Sequence, residues 1–361
     1  MGKSAVKGLF YICLIAATFV LATITIMAAF SGNVAPVDSV IMPLLGLAVP
    51  VLLIVNLITA LCWALARKRW ALVPLVAFFC NWGYLTSVFQ LHLPKDKTPA
   101  GKYLKIATYN IHNFGGEITG YSCKEIARYM QQEGVDVLCF QEFGDNSDFP
   151  TDSIRRVLSH WSHALIPSED SVKGVLPIAV FSRYPLANHR FITYQHSSNC
   201  SMMCDVVMGT DTIRLINNHL QTTSVSQKGR KWERELATDD TRREVQAAKD
   251  AAGTLHENFM KRATQTYVIS HYAKTSPYPV LLCGDFNSIP SSYTYHHLRK
   301  TLKDGFRTAG NGYMYTYRYA KRMLRIDYIF HSPSLKGIEY YSPDLDLCSD
   351  HNPVIMEVEI Q

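Results

Sequence analysis

Charged residues are absent from three long stretches near the start of this 361-residue chain, at 8–30, 40–66 and 71–93. Each exceeds the roughly 20 residues that an α-helix needs to cross the hydrocarbon core of a bilayer. We therefore predict three transmembrane helices, at about 8–30, 40–66 and 71–93. The third prediction is the weakest, because the polar residues Asn81, Gln90 and His92 interrupt that stretch. The alternative, buried helices of a soluble protein, is the less favoured.

Basic residues are absent from residues 31–39, between the first two predicted helices. They occur before the first helix, at Lys3 and Lys7, and again at 67–69, between the second and third. Short loops rich in Lys and Arg usually stay on the cytoplasmic side. This pattern predicts a cytoplasmic N-terminus, and three crossings would leave everything after Pro94 outside the cytoplasm.

CxxC pairs and the HExxH motif are also absent, which argues against a zinc site. Cys139 and Cys283 lie inside apolar runs, where cysteine usually serves as a small buried residue. Cys200 and Cys204 flank a short segment and could pair in an oxidising compartment. Their spacing alone does not fix the geometry of such a bond.

The part of the chain after residue 99 has almost no excess of basic over acidic residues. Residues 1–99 hold seven basic and two acidic residues, which leaves 29 basic and 28 acidic ones. A nearly neutral domain has little net charge to attract a nucleic-acid backbone, which weakens a nuclease function without excluding it. Between Ser224 and Asp250 the two signs are mixed, which is typical of a solvated helix or loop. Contact with acidic headgroups is the alternative.

Short apolar runs that end in polar residues recur through this second part. Runs such as IATYN, DVLCFQE and PVLLCGDFN are rich in Val, Ile, Leu and aromatic residues, which predicts buried strands. Because strand after strand ends in a polar side chain, we expect these side chains to meet at one edge of a sheet. They are Asn110, Glu142, His219, Asp285, Asn287, Asp327, Asp350 and His351.

These residue types suit the cleavage of a phosphate ester. That reaction needs a hard divalent cation, a base for the attacking water and donors for the developing charge. Mg²⁺ prefers oxygen ligands and keeps several waters, so Glu142 is the best ligand candidate, with Asn110 and Asp350 as neighbours. His351 is a candidate general base whose tautomer Asp327 could fix.

Asp285, Asn287 and His219 complete the predicted site. Asp285 could orient or activate water, Asn287 could donate to a phosphate oxygen, and His219 could donate to the phosphate or assist the leaving group. The assignment of acid and base among Asp285, His351 and His219 stays open. Taken singly, each motif has a structural alternative, since an Asn after a strand is commonly a turn former.

The order of the motifs YN, QE, NH, GDFN, RIDYIF and SDH resembles the endonuclease/exonuclease/phosphatase superfamily, the deoxyribonuclease I-like fold. The resemblance covers residues 102–361. It implies an α/β (α+β) four-layer sandwich of two mixed β-sheets flanked by helices, here preceded by three transmembrane helices. The site would lie at one edge, between loops from both sheets.

The same resemblance implies roles for the polar residues. They are Glu142 and Asn110 at the metal, Asp285 and Asn287 at water and phosphate, Asp327 with His351 as the acid–base pair, and Asp350 with His219 completing the set. Apurinic-site repair members carry an acidic residue two positions after the Asn of the first motif. Here that position is His112, which disfavours such a repair function.

These observations predict a membrane region at 1–94, a linker at 95–101 and a catalytic domain at 102–361. The predicted protein is a membrane-anchored hydrolase of phosphate esters that depends on Mg²⁺, or alternatively Mn²⁺. A phosphodiesterase acting on a lipid headgroup or a small phosphodiester is favoured. The alternatives are an extracytoplasmic nuclease of the same superfamily, acting on nucleic acid, and a catalytically silent, membrane-tethered binding module.

Overall fold

The computed structural model describes residues 3–93, 97, 101–168, 174–223 and 241–360. The chain divides into two compact units. Unit 1 consists of Met1–Val88 with Ile289–His296, and unit 2 consists of Phe89–Ser288 with His297–Gln361. Most of the predicted linker, and residues 224–240 of the mixed-charge segment, lie outside the described residues.

Unit 1 is helical. Its helices are α1 (Lys3–Ala29), α2 (Ile41–Leu65), α3 (Leu72–Cys80) and α4 (Trp82–Val88). Among the described residues, α1 and α2 are the two helices long and apolar enough to cross a membrane. Some of their polar side chains pair between the two helices, as in the 2.7 Å bond from Asn56 Nδ2 to Thr25 Oγ1. Such pairing satisfies groups that a lipid environment would leave without a partner.

The segment 71–93, predicted as a third membrane helix, is not one continuous helix. Helix α3 is nine residues long and therefore spans only about 14 Å, and α4 continues at an angle of 63°. Asn81 lies at the break, and its amide donates to the backbone carbonyls of Thr25 and Ala77, both at 3.1 Å. After Val88 the chain becomes extended. Asn81, one of the three polar residues that weakened the sequence prediction, is thus the point where the helix breaks.

Unit 2 is built mainly from β-strands. They are β1 (Phe89–Gln90), β2 (Lys102–Asn110), β3 (Val137–Gln141), β4 (His163–Leu165), β5 (Ile178–Ser182), β6 (Leu186–Thr193), β7 (Cys200–Met208), β8 (Asp211–His219), β9 (Val280–Asp285), β10 (Lys303–Asp304), β11 (Gly312–Tyr313), β12 (Asp327–His331), β13 (Leu335–Tyr341) and β14 (Val354–Ile360). The later helices are α5 (Tyr121–Gln132), α6 (Thr151–Val157), α7 (Thr241–Lys274), α8 (Tyr293–Leu298) and α9 (Gly305–Ala309).

Two six-stranded sheets form the body of unit 2. One has the order β13-β14-β2-β3-β5-β4 and the other the order β10-β12-β9-β8-β7-β6. Each contains one parallel pair, β2 with β3 and β8 with β9, among antiparallel neighbours. The predicted pair of mixed sheets flanked by helices is therefore confirmed, although two long apolar helices precede it instead of three.

Apolar side chains from both sheets share one buried cluster. Ile106 and Cys139 of the first sheet lie in it together with Leu215 and Cys283 of the second. The opposite face of the first sheet, including Phe140, packs against α5 and α6. Because each sheet is covered on the face toward the other, the polar ends of the strands are left at the edge of the sandwich.

Cys200 and Cys204 do not form the disulfide that their spacing left open. Both are free thiols in the cluster between the sheets. They lie four residues apart on the extended strand β7, about 13 Å by the rise of a strand, and a disulfide cannot bridge that distance. Burial raises the pKa of both thiols.

Candidate active site

Three adjacent strands of the second sheet bring polar residues into register at one edge. His219 ends β8, Asp285 ends β9 and Asp327 begins β12. Asp285 is the register partner of both His219 and Asp327. His219 Nε2 lies 3.7 Å from Asp285 Oδ2, and all three residues are buried. The strand pairing thus assembles a group that is dispersed over more than 100 residues of sequence.

The first sheet supplies residues from the ends of its parallel strands. Asn110 ends β2, and Glu142 directly follows β3. Asn110 Nδ2 donates to Glu142 Oε1 at 3.1 Å and to Asp285 Oδ2 at 3.2 Å, so one amide joins the two sheets. Glu142 has a left-handed backbone with φ of 49°, which costs about 1–3 kcal/mol for a non-glycine residue.

His351 is held by a carboxylate on one side and by a turn on the other. Its Nδ1 donates to Asp327 Oδ2 at 2.9 Å, and its backbone N–H donates to Ser349 Oγ at 3.0 Å. Its Nε2 lies 3.8 Å from Asp285 Oδ2 and 3.9 Å from Asp350 Oδ1. The ring is therefore oriented with Nε2 toward the other acidic residues of the site.

The site perturbs the titration of its own members. Burial alone would lower the pKa of His351, but the carboxylates of Asp327 and Asp285 outweigh it and raise that pKa from 6.5 to about 10. Burial, followed by the charge on Asp327, raises the pKa of Asp285. For Glu142, burial opposes ionisation, yet His219 and Asn110 leave its pKa below the ordinary value. Such opposed shifts are typical of catalytic clusters.

Asn287 holds the backbone that follows Asp285. Its N–H donates to Asp285 Oδ1 at 2.8 Å, and its side-chain amide donates to Leu220 O at 3.1 Å and to Asp285 Oδ2 at 3.2 Å. The φ of Asn287 is 48°, a conformation that asparagine tolerates better than most residues. Its amide, expected to face a phosphate oxygen, is thus engaged within the protein.

Arg262 on α7 is the residue near the site that the sequence analysis did not identify. Its side chain is buried, and its Nη1 donates to Thr223 Oγ1 at 3.4 Å. Its Nε and Nη2 have no hydrogen-bond partner among the described residues. Burial lowers the pKa of Arg262 to about 10, against the opposing charge of Asp285. Nothing in the run KRATQ distinguishes it from an ordinary solvated helix arginine.

The neighbouring residues of α7 hold the loop after His219. Gln265 Oε1 accepts from the N–H of Gln221 at 2.7 Å, and Asn258 Nδ2 donates to Thr223 O at 3.3 Å. Because this loop directly follows β8, these bonds also restrain the end of the strand that carries His219. Helix α7 therefore positions one side of the site.

The oxygen donors of the site fit a hard divalent cation. Asp285, Asp327 and His351 form a buried group whose ligand atoms lie within 4.8 Å of one another, and Asp327 Oδ1 has no hydrogen-bond partner in the part of the chain that the structure describes. Of the predicted ligands, Glu142 and Asp350 are the more accessible, with side chains 20% and 31% exposed. A cation that keeps several waters suits this accessible side. The predicted ligand set thus differs from the most compact donor group.

A protein-family model described as the endonuclease/exonuclease/phosphatase family matches residues 107–351. A domain of unknown function, DUF8431, matches residues 9–88. No curated protein sequence matches the chain.

Several solved structures resemble the fold. The endonuclease/exonuclease/phosphatase of Bacteroides vulgatus is 16% identical, with a TM-score of 0.52 and coverage of 72% of this chain and 100% of the other. A Beutenbergia cavernae protein of the same description is 17% identical, with a TM-score of 0.50 and 72% coverage of both chains. Truncated TDP2 of Caenorhabditis elegans is 16% identical, with a TM-score of 0.50, covering 72% and 98%. At these identities the likeness shows the fold alone.

Proposed function

Since the chain belongs to the endonuclease/exonuclease/phosphatase family, whose members are divalent-metal-dependent phosphoesterases, we propose that it is a Mg²⁺-dependent phosphodiesterase. The single observation that carries this proposal is the orientation of His351. Its Nδ1 donates to Asp327 Oδ2 at 2.9 Å, and its Nε2 faces Asp285. An imidazole oriented by a carboxylate is the usual form of a general base. Two long apolar helices and a nearly neutral catalytic domain favour a lipid headgroup or a small phosphodiester as substrate.

The proposed mechanism assigns the proton transfer to His351. With Nδ1 engaged by Asp327, Nε2 is the atom left to accept a proton from water, and Asp285 lies close enough to orient that water. Glu142, Asn110 and Asp350 would hold the cation. When bound, a divalent cation would neutralise phosphate oxygens and offset the carboxylates that keep His351 protonated.

His219 is the proposed donor to the phosphate or to the leaving group. Its Nε2 lies 3.8 Å from Glu142 Oε1 and 3.7 Å from Asp285 Oδ2, so the two carboxylates aim it into the site. Its burial keeps water from competing for the donated hydrogen bond.

Hydrolysis by the full-length protein in detergent tests the assignment. We expect cleavage of bis-p-nitrophenyl phosphate to stop with EDTA and to return with Mg²⁺. Glu142→Gln should raise the Mg²⁺ concentration for half-maximal activity by about 10–100-fold, because it removes an anionic ligand. Glu125→Gln, at a half-buried glutamate of α5 that pairs with Arg128, is the matched control.

Cleavage that resists EDTA would contradict metal dependence. A folded protein that hydrolyses none of bis-p-nitrophenyl phosphate, DNA, RNA, sphingomyelin or inositol phosphates would favour the silent binding module. Preferential cleavage of DNA or RNA would favour the extracytoplasmic nuclease.

We further propose that the N-terminus is cytoplasmic and that the chain leaves the membrane on the opposite side, with α3 and α4 together completing a broken third crossing. Contacts inside unit 1 support this. Ser31 Oγ donates to Ser291 O at 2.9 Å, and Ser291 Oγ donates to Gly46 O at 2.7 Å. In the same short segment, Tyr295 OH donates to Ser87 Oγ at 2.8 Å. The end of α4 thus lies at the end of unit 1 where α1 connects to α2.

Labelling with a membrane-impermeant maleimide tests this topology. Asp346, whose side chain is 86% exposed, should become reactive from outside intact cells in the Asp346→Cys variant. Lys68→Cys, between α2 and α3, should react only after permeabilisation. Labelling of both variants only after permeabilisation would mean that α3 and α4 do not complete a crossing.

A further inference from the structure

Beside the site lies a segment with tyrosine at every second position. Between the first three tyrosines, Met314 and Thr316 are buried, at 4% and 0% exposure. In extended chain, alternate side chains face opposite ways, so the tyrosines share the outward face. We call Tyr313, Tyr315, Tyr317 and Tyr319 the aromatic strip.

The aromatic strip runs from the site to the surface. The ring centroid of Tyr317 lies 5.3 Å from that of His351, and Tyr319 packs on Tyr317 with centroids 5.8 Å apart. Tyr319 itself is 65% exposed. In the other direction, Tyr313 and Tyr315 form a second ring pair at 6.2 Å. The pair of Tyr317 and Tyr319 therefore reaches from His351 to solvent.

The Tyr313 end of the strip pairs with the chain that follows α4. Phe89 of β1 is the register partner of Tyr313 in β11, and His92 bonds to Gly310 O at 2.7 Å, so residues 89–92 lie alongside residues 310–313. Phe89, Leu91 and Leu93 are 50%, 80% and 87% exposed. A group of large exposed apolar side chains at one place indicates an interaction surface.

Most charges around the strip are paired, because Arg318 contacts both Asp344 and Asp346. Arg322 stacks over the ring of Tyr315 at 5.7 Å and pairs with Asp344 at 3.4 Å. Lys321 is exposed and has no ion pair among the described residues. Tyrosine and leucine beside an exposed lysine are the combination that settles at the headgroup level of a bilayer.

We propose that the aromatic strip, with Leu91 and Leu93, contacts a lipid surface and that the site takes its phosphodiester from a phospholipid in that surface. This inference rests on the proposed function. Val88, the last residue of the apolar helix α4, directly precedes Phe89. This surface therefore follows unit 1 directly in the chain. A nucleic acid, the other ligand that stacks on tyrosine, is disfavoured by the balance of 29 basic and 28 acidic residues after residue 99.

The chemistry is a hydrolysis in which nothing is oxidised or reduced. The oxygen of water bonds to phosphorus, one P–O ester bond breaks, and the leaving oxygen takes a proton. The products are a phosphomonoester and an alcohol.

The full-length protein in lipid nanodiscs tests the proposal. The discs hold phosphatidylcholine, phosphatidylethanolamine, phosphatidylserine, phosphatidylglycerol and sphingomyelin, and bis-p-nitrophenyl phosphate is supplied in solution. The double variant Leu91→Ser/Leu93→Ser and, separately, Tyr319→Ser should each slow phospholipid hydrolysis by about tenfold or more, since each removes apolar area from the interface. Hydrolysis of bis-p-nitrophenyl phosphate should change less than about twofold. Tyr121→Ser, at a tyrosine 58% exposed on α5, is the matched control.

Each outcome decides. Equal losses on both substrates, or no phospholipid hydrolysis alongside brisk hydrolysis of bis-p-nitrophenyl phosphate, would overturn the lipid surface and leave the proposed function standing. Faster cleavage of single-stranded DNA that falls in the same variants would make the strip a nucleic-acid surface instead. If the unmodified protein hydrolyses none of these substrates, the proposed function is refuted, and this inference with it.

Discussion

Replacing His351 by glutamine is expected to lower kcat for bis-p-nitrophenyl phosphate by about 10²–10⁴-fold, the usual contribution of a general base. Glutamine keeps a polar group of similar size but cannot accept the proton of water at neutral pH. The measurement is steady-state hydrolysis at saturating Mg²⁺, with a thermal melt of the same sample to show that the fold persists.

Two comparisons make this result specific. His163→Gln, at a histidine of β4, the outer strand of the first sheet, should leave kcat unchanged. Asp327→Asn should also lower kcat while retaining the imidazole, and in the metal-free protein it should bring the pKa of His351 down from about 10. Histidine titration by NMR measures that fall. If His351→Gln kept more than about a tenth of the activity, the proton would have to go elsewhere, with Asp285 the next candidate.

Gly284→Ala should prevent unit 2 from folding normally. Gly284 has φ of 130°, and a Cβ placed there would lie 1.9 Å from the backbone oxygen of Asn218. Asn218 is its register partner across the parallel pair of β8 and β9, so neither backbone can yield without breaking the ladder. We expect a loss of about 4–5 kcal/mol or more in the free energy of unfolding, the range reserved for severe backbone or packing conflicts.

Gly253→Ala is the matched control. Gly253 lies inside α7, and no atom lies within 4 Å of a Cβ placed there. Alanine at an open helical position should stabilise the protein by roughly 0.5–1 kcal/mol. Thermal or denaturant unfolding of the two variants measures both effects. A Gly284→Ala protein that melts within a few degrees of the unmodified one and keeps its activity would disprove the steric argument.

Sequence reasoning succeeded where chemistry and strand pattern coincide. Asp285, His219 and Asp327 were predicted to converge because each stands at one terminus of an apolar run, and the termini of adjacent strands share a sheet edge. The register of β8, β9 and β12 brings them together. The predicted catalytic roles of these residues stay predictions until the variants above are measured.

It failed where the answer depends on contacts between distant segments. The third membrane helix was predicted from hydropathy alone, but the amide of Asn81 bonds to Thr25 O at the break between α3 and α4. Cys200 and Cys204 are close in sequence, yet an extended strand holds them apart. The sequence around Arg262 predicts a residue exposed on a helix surface. Its burial follows only from how α7 packs on the second sheet.

The amino-acid sequence by itself indicated long apolar helices ahead of a strand-rich part and supplied the polar residues at the strand ends, and the mixed-sheet fold followed from the resemblance of its motifs to a known family. Hydropathy, strand periodicity and residue chemistry are local properties, so they can be read directly from the chain. The tertiary structure alone decided which of those residues touch, how far their pKa values move and that Tyr317, which lies outside the motifs, packs against His351. Such effects depend on burial and on distances of a few ångströms between residues far apart in sequence, and no local pattern records them.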